Sequence, residues 1–289
     1  MHCVDYAPGN GAACTGTLSS TRMNAHVPVG DLLRAWRQRR HLSQLAVATE
    51  AEVSTRHLSF LETGRAQPSR EMVLRLAELL EIPLRERNAL LLAAGFAPMF
   101  PEHALTDPAL AAAREAVGLV LKGHEPFPAL AIDRHWNMLV ANAAVAPMMQ
   151  DIAPHLLQPP VNMLRLSLHP EGLAPRIVNL GVWRGHLLTR LRRQVEVSAD
   201  QTLTSLLKEL SEYPSPVASE QGGLSHSGVI VPLQLASPAG VLSFISTTTV
   251  FGTPVDITLA ELALETFFPA DAATAAVLRA LADARAKAI

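Results

Sequence analysis

VSTRHLSFLETGRAQPS, residues 53–69, decides how the first third of this chain folds. Ser54 stands just ahead of a run in which Leu58 and Leu61 recur at helical spacing, so it reads as the N-cap of a short helix over 55–63. Gly64 offers the left-handed backbone that ends such a helix, and Ser69 caps the next one. With Leu58 and Leu61 turned inward, Thr55, Arg56 and Ser59 face outward near the helix start. Short polar side chains and an arginine at the N-terminal end of an exposed helix are the groups that reach base edges in the major groove of DNA.

Working outward, residues 29–39 carry Leu32, Leu33 and Trp36 at helical spacing, with Arg34, Arg37, Arg39 and Arg40 on other faces. Ser43 caps a second helix, QLAVATEAE, expected to bury Leu45, Ala46 and Thr49. A fourth helix is expected over 70–80, and a fifth over 84–94 between Pro83 and Gly95. Five short helices make a compact all-α domain. Its charge is local: the whole chain carries 24 Lys+Arg against 26 Asp+Glu, but residues 34–75 hold eight Arg against four Glu, a balance of +4. A basic patch on an otherwise slightly acidic chain suits a DNA-reading module attached to a domain with another task.

The two cysteines, Cys3 and Cys14, fall in a Gly/Ser/Thr-rich leader, residues 1–26, which reads as disordered. They offer neither a disulfide framework nor a metal site. The leader lacks the basic start and apolar run of a signal peptide, and Met23, just ahead of the first periodic segment, is the expected start of the natural product in place of Met1. Residues 89–100 form the longest apolar stretch, broken by Gly95 and Pro98 and well short of the ~20 residues that span a bilayer. No membrane association and a reducing, cytoplasmic setting are expected.

Residues 97–106, with Pro98 and Pro101, read as a linker between a domain at 27–96 and a second at 107–289. Asp107-Pro108 opens a helix running to about 121. Then the texture changes. PALAIDRHWNMLVAN holds two apolar runs, 129–132 and 136–141, around a charged turn, hence a hairpin. Helical segments follow at 142–150, 162–168, 175–195 and 201–212. GVIVPLQLASPAGVLSFISTTTVFG reads as two strands about the turn 237–240; ELALETFFP is a strand or a helix, its Phe267-Phe268 end favouring strand. Asp271 opens a last helix. The fold class is therefore an all-α N-terminal domain plus an α+β domain with a five-stranded antiparallel sheet, helices lying between its second and third strands.

Ser43-Gln44, Leu45-Ala46, Val53-Ser54, Leu58, Leu61-Glu62-x-Gly64 and Pro68-Ser69 together resemble the helix-turn-helix of the phage-repressor-like (XRE) regulators. The resemblance implies that Thr55, Arg56 and Ser59 meet bases or backbone, that Gln44 at a helix start fixes a phosphate, that Arg65 meets the DNA backbone, and that Ser54 belongs to the same DNA-binding set. One departure is visible: Ala51-Glu52 occupies the turn where Gly is usual. PALAIDRHWNMLVAN, NMLRLSLHP, WRGHLLTRLRRQ and STTTVFGTPVDITLAELALETFFPADAATA resemble the second domain of the MmyB-like regulators, which is PAS-like. That resemblance implies a bacterial, nucleoid-associated transcription factor, a homodimer on operator DNA, with no cofactor but a pocket for a small hydrophobic, fatty-acid-like molecule.

The residues have their own reading beside it. Leu242, Phe244, Ser246 and Thr248 share a strand face that begins apolar and ends in hydroxyls, a lining for a chain-like ligand with a polar head. Trp136, Asn137, Phe251 and Phe267 are candidates to close such a cavity, and Arg165 to meet a carboxylate. The ordinary reading of each of these aromatics, a core residue, and of Arg165, a surface one, outweighs the ligand reading residue by residue, and a solid interaction platform stands as the alternative. In WRGHLLTRLRRQ the stripe Trp183, Leu187, Leu188 and Leu191 leaves Arg184, Arg190, Arg192 and Arg193 for a solvated face. The 11 histidines show no metal-ligand spacing. GGLSHSG fails the Gly-x-Ser-x-Gly spacing of a nucleophile elbow because Ser227 replaces the second Gly, and no phosphate loop or dinucleotide fingerprint is present; no enzyme is expected.

Overall fold

A computed structural model describes residues 27–214 and 230–287. The expectations for the leader, and for GGLSHSG, lie outside the described residues. Five helices come first: α1 (Val29–Arg39), α2 (Gln44–Glu50), α3 (Thr55–Glu62), α4 (Arg70–Leu79) and α5 (Leu84–Ala93). Ser43, Ser54 and Ser69 accept hydrogen bonds from the N–H groups of Ala46, His57 and Met72, capping α2, α3 and α4. A cap of this kind is worth about 1 kcal/mol.

All five helices stop in the same way. The residue past each C-cap has left-handed backbone: His41, Glu52, Gly64, Glu81 and Gly95, with φ of 54°, 53°, 71°, 48° and 84°. The next N–H then returns to a carbonyl of the last turn, as in Leu42 to Arg37, Val53 to Ala48 and Ile82 to Ala77. Leu42, Val53, Ile82 and Phe96 thereby fold back onto the domain core of Leu33, Trp36, Val47, Leu58, Leu61, Val73, Leu76, Leu90 and Leu91. The Ala51-Glu52 departure is absorbed here: Ala51 is fully buried and Glu52 takes the strained backbone itself.

The expected burial of α2 is out of phase. Leu45, Ala46 and Thr49 are exposed, and Val47, Ala48 and Ala51 are buried instead. LAVA offers four apolar residues in succession, so a seven-residue helix takes its phase from its neighbours. α1 crosses α3 closely at Gly30, where a Cβ would stand 2.4 Å from the Leu61 carbonyl oxygen.

The second part contains α6 (Ala111–Gly123), β1 (Ala129–Ile132), β2 (Met138–Ala141), α7 (Met163–Leu168), α8 (Leu180–Ser198), α9 (Gln201–Glu212), β3 (Leu233–Ser237), β4 (Gly240–Val250), α10 (Ile257–Ala260), β5 (Ala263–Pro269) and α11 (Ala272–Lys287). The strands form one antiparallel sheet in the order β2-β1-β5-β4-β3, with α7, α8 and α9 between the second and third strands of the chain. Alternation divides each strand between two layers. Ala129, Ala131, Leu262 and Leu264 pack with Val117 and Leu121 of α6. Leu130, Ile132, Leu242 and Phe244 belong to the larger core with α7, α8 and α9.

Three expected elements shift. Residues 142–150 keep only the 3-10 turn Ala146–Met149. The 175–195 segment is divided by Ile177, which bridges to Leu235, so a 3-10 turn Ala174–Arg176 precedes α8. The expected strand 136–141 starts later, at Met138, because Trp136 sits in the hairpin turn at φ 68°.

The stretch 97–106 is tied down along its length. Asn88 Oδ1 accepts from the N–H groups of Met99 and Phe100, Pro101 O accepts from Ile257, and His103 Nδ1 lies 2.7 Å from Asp256. Arg85 on α5 pairs with both Glu102 and Glu261. Among the described residues no helix is long and apolar enough to cross a membrane.

Candidate functional site

Thr55 and Arg56 are exposed on the first turn of α3, with Ser59 half-buried one turn on. Phe60, one helical turn beyond Arg56, lies 5.2 Å from the Arg56 guanidinium and 5.9 Å from that of Arg65. The ring steadies both arginines on one side of the helix, each such contact contributing roughly 0.5–1 kcal/mol at an exposed site. Sequence reasoning passed over Phe60, although the i, i+4 spacing from Arg56 marks it. The Ser54 hydroxyl is engaged as acceptor in its cap, leaving its proton to donate.

Behind this face lies a buried polar lock. Glu62 receives two bonds from Arg37, at 2.6 and 2.9 Å, and one from the Gln44 amide at 2.8 Å. Arg37 also donates to the Leu42 carbonyl. Burial alone would raise the Glu62 carboxyl, but the hydrogen bonds from Arg37 and Gln44 together outweigh it and hold Glu62 below the ordinary carboxylate range. Arg37, read as one of several outward arginines, is thus a structural residue joining α1 to α3. One amide N–H of Gln44 is used; the second remains for a partner outside the domain.

In the second part, α7 and α8 stand over the sheet and leave a cavity of ≈ 80 Å³. Leu130, Leu164, Leu187 and Phe267 form apolar walls, and Trp136, Ser167, Arg190, Ser246 and Glu265 gather at its polar side. Arg190 Nη2 and Nη1 reach the two carboxylate oxygens of Glu265 at 2.5 and 3.1 Å. Thr248 Oγ1 donates to Glu265 at 3.0 Å and accepts from Arg190 at 2.7 Å. The guanidinium lies 4.4 Å from the Trp136 ring, whose Nε1 donates to Gln194. A Trp held in left-handed backbone is an outlier, and such strain concentrates where a site requires it. A neighbouring chamber of ≈ 60 Å³ is lined by Phe244 and by Met148, Met149 and Met163.

The expected lining residues divide. Trp136, Ser246 and Phe267 border the cavity, and Phe244 borders the second chamber. Thr248 supports the ion pair from beside it. Asn137 lies elsewhere because Asp133 and Asn162 hold it in the hairpin turn. Arg165 lies elsewhere too: Glu209 binds it in two places and Tyr213 closes the group. Arg190 and Glu265 were missed. Arg190 falls three residues after Leu187 and seven after Trp183, so the apolar stripe itself points to it.

Larger depressions lie elsewhere among the described residues. One of ≈ 240 Å³ lies between α11 and the 147–151 segment, and one of ≈ 290 Å³ lies at the seam between the two parts of the chain. The seam gathers Arg85 and Glu86 of α5, Arg134 and Asp200. His135, next to Trp136, meets Asp200 at 2.9 Å, and Ala199 at the end of α8 packs on the first domain's core. Burial raises the Glu86 carboxyl at this seam. His155, His169 and Glu171 bring one ligand atom each within 4.8 Å of one another, a proximity that sequence spacing did not suggest. Their outer members are largely solvent-exposed.

The comparisons with known proteins divide the chain as the geometry does. A family model described as a helix-turn-helix domain matches residues 28–90, and one described as the MmyB-like transcription regulator ligand binding domain matches residues 113–281. No curated protein matches the chain. The second of these matches covers more than half of the chain and, with the helix-turn-helix match ahead of it, places the chain in the family of MmyB-like transcription regulators.

Proposed function

We propose that the chain is an XRE-type, sequence-specific regulator in the bacterial cytoplasm and nucleoid, acting as a homodimer whose second domain binds a small hydrophobic, fatty-acid-like molecule. On DNA, Thr55, Arg56 and Ser59 face the major groove; Ser54 and the second N–H of Gln44 meet phosphates, and Arg65 clamps the backbone. Support for a ligand comes chiefly from one observation: an apolar cavity has a polar cluster whose members, Trp136 and Arg190, sit on elements that reach the seam between the two parts of the chain. α8 carries Arg190 in its middle and Ala199 just past its end; the hairpin turn carries Trp136 and His135 together. An occupant that moves either wall moves the seam.

The small size of the cavity supports a second reading, in which the domain has a solid core and serves only as an interaction platform. Native mass spectrometry of the full-length protein from its own host separates the two. A bound mass of a few hundred daltons, lost on denaturation, is the expected result. A bare chain whose melting temperature no hydrophobic compound raises would leave the platform reading standing.

A further inference from the structure

Resting on the ligand-binding reading above, we propose that the ligand site is a channel along β4, longer than the cavity under α8. It opens at the groove between α11 and the 147–151 segment, takes the tail of a long-chain carboxylate inward, and holds the carboxylate at its mouth beside Arg176 and Arg285. Three spaces lie in a row on one face of β4. Leu242 borders the groove of ≈ 240 Å³, Phe244 the chamber of ≈ 60 Å³ and Ser246 the cavity of ≈ 80 Å³. Alternate residues of a strand share a face, and at about 3.3 Å per residue Leu242 to Ser246 spans about 13 Å. Neighbouring spaces share walls. Met148 and Leu235 border both groove and chamber; Leu130, Met163 and Phe267 border both chamber and cavity. Met148 stands half-buried on a 3-10 turn outside the sheet, and its unbranched thioether re-packs at little cost. A chain that passes Met148 and Met163 joins the three spaces, so the cavity alone does not set the size of the ligand.

Charge sets the direction. Arg190, at the inner end, already has Glu265 as its carboxylate partner. Arg176 donates to the carbonyls of Met148, Gln150 and Ala236, and Arg285 to that of Ala143; among the described residues neither forms an ion pair. Asp151 is the only carboxylate lining the groove among those residues, which leaves the mouth with a net positive charge. A carboxylate held there meets arginine and keeps part of its water, while each methylene buried farther in adds about fourfold in affinity. The hydroxyl end of β4, expected from the sequence to meet the head group, receives the end of the tail instead, beneath Trp136 and Trp183.

The test titrates the full-length protein at neutral pH with octanoate and dodecanoate, each brominated at its terminal carbon. Calorimetry follows binding. Quenching of tryptophan fluorescence reports where the bromine lies, since Trp136 and Trp183 border the cavity while Trp36 belongs to the core of the first domain. Dodecanoate is expected to bind at least about thirtyfold more tightly than octanoate. At saturation it is expected to quench several-fold more strongly, because only the longer tail crosses to the cavity. Arg285→Gln is expected to weaken dodecanoate about tenfold while leaving dodecan-1-ol within about twofold, with Arg176→Gln as the second variant. Quenching by octanoate that equals or exceeds that by dodecanoate would overturn the inference in the unmodified protein, because the head would then lie at the inner end or the chain outside the channel. So would variants that weaken acid and alcohol alike, or neither. No binding of either acid would instead remove the ligand-binding reading, and the channel with it.

Discussion

Each half of this molecule is built around an arginine held in two places by a glutamate, and the two pairs differ in what surrounds them. Arg37 and Glu62 are 11% and 2% exposed, with Gln44 on the remaining carboxylate position and packed helices on every side. Arg190 and Glu265 are 30% and 6% exposed, with a void on one side and Trp136 on the other. The first pair fixes three helices in one arrangement. The second leaves its surroundings room to rearrange. The same chemistry serves rigidity where the carboxylate is saturated by neighbours, and sensitivity where a cavity replaces some of them.

The largest test of this contrast is Glu62→Ala. Removing one partner of a closed pair strands Arg37 and is expected to cost about 3–5 kcal/mol in urea unfolding. Glu265→Gln is expected to cost about 1–2 kcal/mol, because water reaches Arg190 and the amide keeps part of the geometry. Equal losses at the two sites would break the comparison. Acid sharpens it. The Glu62 pKa is lowered on folding, so its contribution is complete above the ordinary carboxylate value of roughly 4.3 and is lost as pH falls through the lower, folded one. The unmodified protein should lose more stability over that interval than Glu62→Ala, as followed by circular dichroism.

Gly30→Ala comes next. A methyl group 2.4 Å from the Leu61 carbonyl oxygen must push α1 away from α3, at a cost of about 1–3 kcal/mol in thermal unfolding. Because the movement tilts α3, DNA binding should weaken beyond what the lost stability explains. Arg56→Ala, which gives up one exposed contact with Phe60, should cost no more than about 0.5–1 kcal/mol of stability and weaken specific DNA binding by ~1–3 kcal/mol at one base position, measured by competition among operator variants. An unaltered base preference would remove Arg56 from the reading surface. The smallest effect is of opposite sign. Glu81 carries left-handed backbone for which glycine is suited, so Glu81→Gly should stabilise by about 0.5–1 kcal/mol in the same unfolding experiment.

The first domain was legible because its signals are local. Three serines, each three residues ahead of the N–H it caps, and an apolar residue after four of the five helix stops state where the helices begin and end. The phase of α2 was lost, where four successive apolar residues carry no periodicity, and so was the inward turn of Arg37 toward a glutamate 25 residues away. The sheet domain was legible in its strands and much less so in its cavity. Glu265 and Thr248 lie on different strands brought together by the β4–β5 register, and no local pattern reports that. Arg190 was obscured by a different cause: in an arginine-rich helix, one guanidinium turned inward looks like its solvated neighbours until its spacing from Trp183 is counted. Arg165 misled in the opposite direction, since its partner Glu209 stands 44 residues away.

The length of α8 has a mechanical consequence. From Trp183, which borders the cavity, to Ala199, which rests on the DNA-binding domain, the chain advances 16 residues, or about 24 Å at 1.5 Å per residue. Tilting a rod of that length by roughly 5° about its cavity end swings the far end by about 2 Å. A displacement of that size at the cavity would be lost among side-chain fluctuations, but at a surface that must match base edges it decides whether a hydrogen bond exists. In the proposed function α8 is the lever arm between the two, and its gain is set by its residue count.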